Sequence, residues 1–473
     1  MKKALYLMMC FALAVVLLMP GSTAVAQSAT SQTWTSSITY YTPSTTPGTL
    51  NVTYYQGTNS YVAGPFTLEA HKAGSLFIGS TSVPDNFAGS AVLSANVPIV
   101  ATYVQFASGA ANAEYGRMIY NAFGANDAGT PFYVPTVLNA QFGSTSRIGV
   151  QNIESAQISA TLKFYAVGST APTATKTVDI PAFASYVFSA SDAAIGLPTG
   201  FNGSLVIETT GGNRVVASSE ETDDNGRGAY AFEGVASGFN TVYMPSAMCN
   251  YGTERQTSYY AIQNAGSSTV NVTIDYYDTT GTKVGTLPAT PITAGGKLST
   301  SPCSAGALNN ALGSAVVTST GPVIAIGKIK ANNGMATAFV GQGTGFTKVA
   351  APYIRWSADP TAEWRAYIAI MNVGSANATN IKARYYDATG TLKGTHDVAT
   401  AANPLGKFIK RNTNPQVAGA LDSNGNFGIS PFGGAVEIES DQPVVVVVRL
   451  QREVSLGATT RFAEDYNGVD ISP

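Results

Sequence analysis

Residues Tyr276-Tyr277-Asp278-Thr279-Thr280-Gly281-Thr282 return almost letter for letter as Tyr385-Tyr386-Asp387-Ala388-Thr389-Gly390-Thr391. Each stretch reads as the end of a strand running into a tight turn. Paired aromatics favour a pleated, half-buried surface, and Asp followed three residues later by Gly is turn chemistry. Looser copies stand upstream, at Asn51 to Tyr55 and at Leu162-Lys163-Phe164-Tyr165. Successive copies are about 110 residues apart. A fixed period of this size marks a repeated structural unit.

Two further anchors keep the same order and period. Phe87-Ala88-Gly89-Ser90-Ala91-Val92 matches Phe201-Asn202-Gly203-Ser204-Leu205-Val206, Leu312-Gly313-Ser314-Ala315-Val316 and Phe432-Gly433-Gly434-Ala435-Val436. A β-branched run follows each, at Pro98-Ile99-Val100, Arg214-Val215-Val216, Pro322-Val323-Ile324 and Pro443-Val444-Val445. Gln151-Asn152, Gln263-Asn264 and Met371-Asn372 each open a turn ahead of the aromatic pair. Tyr133-Val134-Pro135, Tyr243-Met244-Pro245 and Ala351-Pro352-Tyr353 read as joints between copies.

Within a copy, short runs rich in Val, Ile, Thr and aromatics alternate with turn residues every 8–12 positions or so. Seven or so strands in about 110 residues is the size of an immunoglobulin-like sandwich. The expectation is an all-β chain: a tandem array of about four Ig-like β-sandwich domains. They divide as 27–134 (a divergent cap), 135–244, 245–351 and 352–473. Short Pro-containing connectors predict stiff beads in a row.

Met1-Lys2-Lys3, the apolar run Ala4–Met19 and the small residues before Gln27 form a secretory signal peptide, residues 1–26, with cleavage after Ala26. No later apolar run reaches the ~18 residues of a membrane span. The mature chain is therefore expected to be secreted, or held at the cell surface by non-covalent contacts. Charged residues are 11% and the formal net charge is −2, which gives no field for nucleic acid. Outside the leader only Cys249 and Cys303 remain. An oxidising compartment favours a bridge between them, with two buried thiols as the alternative.

The order Gln-Asn-x-Gly-Ser (263–267), Tyr-Tyr-Asp (276–278), Gly-Ser-Ala-Val (313–316) and Pro-Val (322–323) resembles the tandem Ig-like or fibronectin-type repeats of bacterial secreted and cell-surface proteins. The resemblance spans nearly all of the mature chain and implies a spacer, adhesive or envelope role. It carries no catalytic residue and no cofactor with it.

Chemistry-bearing constellations are sparse. His71 and His396 stand alone, without a second ligand at metal spacing. No nucleophile elbow is present, so enzyme activity is not expected. Glu221, Asp223 and Asp224 form the densest carboxylate cluster, a Ca²⁺ loop candidate or a solvated hairpin tip. Trp356 and Trp364 are candidates for stacking on a sugar, or for packing the fourth unit. Residues 27–41 read as the first strand of their own sandwich or as a strand donated to a neighbour. These features favour a non-catalytic structural or adhesive protein of the bacterial exterior, acting through repeat faces or strand edges and able to self-assemble. The alternative is a secreted carbohydrate-binding protein. Expected partners are an envelope component, a glycan or like subunits.

Overall fold

The computed structural model describes residues 33–108, 116–223, 228–358, 363–428, 433–453 and 460–472. Residues from Gln32 onward form one compact unit. It is built from antiparallel strands in four successive two-sheet sandwiches. The signal peptide and Asp224 lie outside the described residues.

The second sandwich shows the plan. Its strands are β8 (Phe132–Asn139), β9 (Ser144–Asn152), β10 (Ile158–Ala166), β11 (Ala174–Ile180), β12 (Ser185–Ser189), β13 (Phe201–Thr209), β14 (Val215–Asp223) and β15 (Ala229–Glu233). A front sheet runs β11-β10-β13-β8 and a back sheet runs β12-β9-β14-β15. Burial alternates along β9 and β10, as a two-residue side-chain period requires. Ile148, Leu162, Phe164, Leu205, Ile207 and Phe232 meet between the sheets. Consecutive strands mostly switch sheets, so the unit has immunoglobulin size with a strand order of its own.

The third sandwich comprises β16 (Phe239–Cys249), β17 (Thr257–Asn264), β18 (Val270–Asp278), β19 (Lys283–Ile292), β20 (Lys297–Thr300), β21 (Ala311–Lys330) and β22 (Ala336–Val340). The fourth comprises β23 (Phe346–Ile354), β24 (Glu363–Asn372), β25 (Ile381–Asp387), β26 (Leu392–Ala399), β27 (Lys410–Thr413), β28 (Gly434–Glu453), β29 (Thr460–Asn467) and β30 (Val469–Asp470). In both, one 20-residue strand, β21 or β28, crosses from front sheet to back sheet. It replaces the separate β13 and β14.

The first sandwich has β1 (Thr33–Tyr41), β2 (Gly48–Gln56), β3 (Asn59–Leu68), β4 (Ala73–Phe77), β5 (Ser90–Ala95), β6 (Val100–Ser108) and β7 (Arg117–Asn121). Its back sheet is β4-β1-β6-β7, and among the described residues its front sheet has only β3-β2-β5. Tyr41 pairs with Val100 as Gln151 pairs with Val216, so β1 is the counterpart of β9.

Two expectations need correction. The Pro-containing elements expected as joints lie inside β8, β16 and β23, the first strands of the sandwiches that follow. Pairing registers shift beside them, so each proline occupies an irregular stretch of its strand, where a missing N–H costs little. The sandwiches thus begin near Phe132, Phe239 and Phe346, ahead of the prolines. Nor are the units beads in a row. The last strands β7, β15, β22 and β29 pack against one another in sequence, and β29 returns to β7. Apolar side chains cover three of the joints: Tyr165 and Val206 cluster with Ile324, Tyr277 and Val316 with Met371 and Val445, and Tyr386 and Ala435 with Tyr41 and Val100.

Candidate functional site

The repeated residues are spent on the joints between sandwiches. The first aromatic of each pair, Tyr54, Phe164, Tyr276 or Tyr385, is fully buried in its own core. The second faces outward, as strand geometry demands, and meets the next sandwich. Tyr55 lies 5.6 Å from Phe183, Tyr277 lies 5.1 Å from Phe408, and Tyr386 stacks on His71 at 4.5 Å. Tyr165 covers Gly295, where an added Cβ would sit 2.9 Å from the ring. Phe183, Gly295, Phe408 and His71 all adopt positive φ. They are one structural position seen four times, and His71 is there a packing residue.

The serine of the Gly-Ser anchor ties the same joints. The hydroxyls of Ser90, Ser204 and Ser314 donate to the carbonyls of Phe183, Gly295 and Phe408 at 2.8, 2.6 and 2.8 Å. Ala435 stands at the fourth position and has no hydroxyl. There Glu437 acts instead, accepting from the Tyr41 hydroxyl at 2.7 Å with His71 Nδ1 at 3.3 Å. This joint closes the fourth sandwich onto the first.

The turn anchors are equally internal. Asn152, Asn264 and Asn372 are fully buried. Asn264 and Asn372 each donate through Nδ2 to two carbonyls, Asn152 to three, and each accepts an N–H two residues on. Asp278 and Asp387 accept from both following threonines, Thr280 and Thr282 or Thr389 and Thr391. These contacts explain why the two stretches read alike.

Charges are also paired inward. Glu221 is fully buried and bonded to Lys328 of the third sandwich, so it is not at a solvated tip. Asp223 ends β14 and borders an open cleft of about 490 Å³ that Arg255, Tyr259, Lys330 and Asn333 also line. Arg117 Nε donates to Glu464 at 2.8 Å, and Arg449 binds Asp465 through two nitrogens. Asn121 Nδ2 donates to the Asn467 carbonyl, and Asn467 exchanges two bonds with Val340. Among the described residues no three His, Cys, Asp or Glu side chains converge to hold a metal ion.

Trp356 is buried, with the Arg365 guanidinium 4.6 Å from its ring. Trp364 has Arg355 at 3.8 Å, Arg117 at 4.9 Å and Phe462 at 5.2 Å. Both tryptophans are engaged by cation–π and edge contacts within the protein. His396 Nδ1 lies 2.9 Å from Thr413 Oγ1, and burial lowers its pKa below the usual histidine range. Cys249 and Cys303 form a disulfide across a sequence separation of 54.

What these internal uses leave open is the outer edge of β5. Sequence reasoning missed it, because an edge with no partner strand among the described residues has no residues of its own to read. The signal was indirect: the Pro-containing element of later copies has no counterpart between Gln27 and Tyr41.

No protein-family model and no curated protein matches the chain. Among solved structures, the BSP domain of a biofilm-associated protein aligns over 93% of this chain and 91% of its own, at 8% identity and TM-score 0.13. A serine-rich repeat protein of Streptococcus agalactiae aligns over 54% of this chain and 85% of its own, at 10% identity and TM-score 0.10. Likeness at this level carries no argument about fold or function.

Proposed function

We propose that the protein is a non-catalytic structural or adhesive component of the bacterial cell exterior that binds through a strand edge. The observation that carries this reading is the use of the repeated polar and aromatic residues. The second tyrosines, the anchor serines and the buried asparagines hold sandwiches together or close turns. The chain's chemistry is therefore devoted to building a rigid body, as a structural element requires. Closure of the repeats removes the elongated spacer from the earlier expectation and leaves a compact body with an exposed edge. Carbohydrate binding through Trp356 and Trp364 gains nothing from the structure, since Trp356 is buried and Trp364 is flanked by two guanidinium groups.

Fractionation of the producing cells tests this. The chain, processed after Ala26, is expected in the medium and on the envelope, and released from the envelope by urea without detergent. Recovery of an unprocessed chain from the cytoplasm would overturn the reading.

A further inference from the structure

The second to fourth sandwiches complete their front sheets with a strand that has no counterpart in the first among the described residues. β8 pairs with β13, β16 with the first half of β21, and β23 with the first half of β28. In the first sandwich β5 is the counterpart strand. It pairs with β2, and among the described residues nothing pairs with its other edge.

The vacancy shows in the core. Leu93 pairs with Val52, as Ile207 pairs with Leu162, Val317 with Ile274 and Ile438 with Ala383. Ile207 and Val317 are 0% exposed and Ile438 is 1% exposed, whereas Leu93 is only half-buried. Phe87, Ala91, Ala95 and Val97 around it are also only partly covered. An apolar core thus opens beside an unpaired strand edge, the arrangement that accepts an added strand.

The sister strands specify the occupant. Each brings buried apolar side chains from both sides of a proline: Val134 and Val137 around Pro135, Met244 and Ala247 around Pro245, and Ala351 and Ile354, which flank Pro352. Among the described residues no strand of this chain takes that place beside β5. In the second sandwich the first strand spans eight residues, and Ala140–Gly143 connects it to β9. Between the expected cleavage point after Ala26 and β1 stand six polar or small residues, Gln-Ser-Ala-Thr-Ser-Gln (27–32), fewer than the eight of β8.

We propose that the free edge of β5 is an acceptor groove for an extended segment of a partner protein, with apolar residues on both sides of a proline, that adds antiparallel to β5. This rests on the reading of the chain as a binding protein and names the partner's chemistry. The backbone edge supplies hydrogen bonds, and the gap beside Leu93 selects the apolar side chains.

The test uses residues 27–473 and a labelled synthetic peptide of the sister strand, Phe-Tyr-Val-Pro-Thr-Val-Leu-Asn (132–139). Fluorescence anisotropy and amide hydrogen exchange are read together. The expected result is saturable binding, slowed exchange at Ser90–Ala95, and at least a tenfold loss of affinity when both peptide valines are Asp. Absence of binding, or equal binding of the Asp peptide, would overturn the proposal. So would concentration-dependent protection of the same amides without peptide, which would assign the edge to a second copy. Protection of these amides in the unprocessed chain but no peptide binding to the processed one would assign it to the leader. None of these results bears on where the chain fractionates, so loss of the groove and loss of the adhesive reading remain separable.

Discussion

Lys297 is placed where a β-protein supports a cation poorly. It is buried between the second and third sandwiches, and its Nζ donates to Thr136 Oγ1 and Asn202 Oδ1, both at 2.7 Å. Neither acceptor is an anion. Burial, with Lys328 nearby, pulls its pKa down to about 7. Lys410 is pulled down to about 7 by burial and by Arg449. An unfolded lysine titrates near ~10.4. Between these values the unfolded chain holds more protons than the folded one, so stability rises with pH across that window. Glu233 works lower down: burial pushes it up to about 7. Its contribution is complete below its unfolded pKa and is lost as pH rises through about 7. The unfolding free energy from urea titrations is therefore expected to rise from pH 7.5 to 9.5, by at most ~1.4 kcal/mol per pH unit for each lysine. Lys297→Met is expected to remove about half of that rise, because one of the two lysines remains. An unaltered pH slope in the variant would refute the assignment.

At the scale of the element, the strands were legible and their second duties were not. Two-residue periodicity puts one aromatic of each pair in the core and turns the other outward. The outward one lies under the next sandwich, which strand geometry alone does not reveal. Ser314 shows why such roles escape a reading of sequence: its acceptor, the Phe408 carbonyl, is 94 residues away. Local chemistry was easier. The Asp-to-Gly turns at Asp278 and Asp387 and the asparagine turns close within a few residues, and their residues announce them. The Pro-containing elements are ambiguous in sequence, because proline is common in linkers as well as in irregular stretches of strands. Ser314→Ala is expected to cost about 1 kcal/mol, the net worth of one hydroxyl-to-carbonyl bond. Equilibrium urea unfolding measures it, and a change below about 0.3 kcal/mol would show that the hydroxyl does not tie the joint.

At the scale of the molecule, a period of about 110 residues is compatible with an open row or a closed ring. Closure was written in the departures from the repeat. Ala435 lacks the anchor serine of the other copies, while Tyr41 and His71 belong to the copy read as a divergent cap. These residues meet at the joint of the first and fourth sandwiches, where Glu437 binds both ring polar atoms. Divergence at the ends thus marks a specific contact. Arg117 and Glu464 seal the same closure: Glu464 is buried, and the guanidinium also lies over Phe106, Trp364 and Phe462. A compact body of this length has a radius of gyration of about 22 Å, and separate sandwiches in a row would give a markedly larger value. Solution X-ray scattering of residues 27–473 is expected to match the compact figure. Glu464→Ala leaves a buried guanidinium without its anion, a loss of about 3–5 kcal/mol. The variant should unfold at lower urea, and if the joint opens before the sandwiches melt, its radius should grow ahead of the loss of β-sheet signal. A parent that scatters as an extended row, or a variant as stable as the parent, would show that the ring is not closed through this pair.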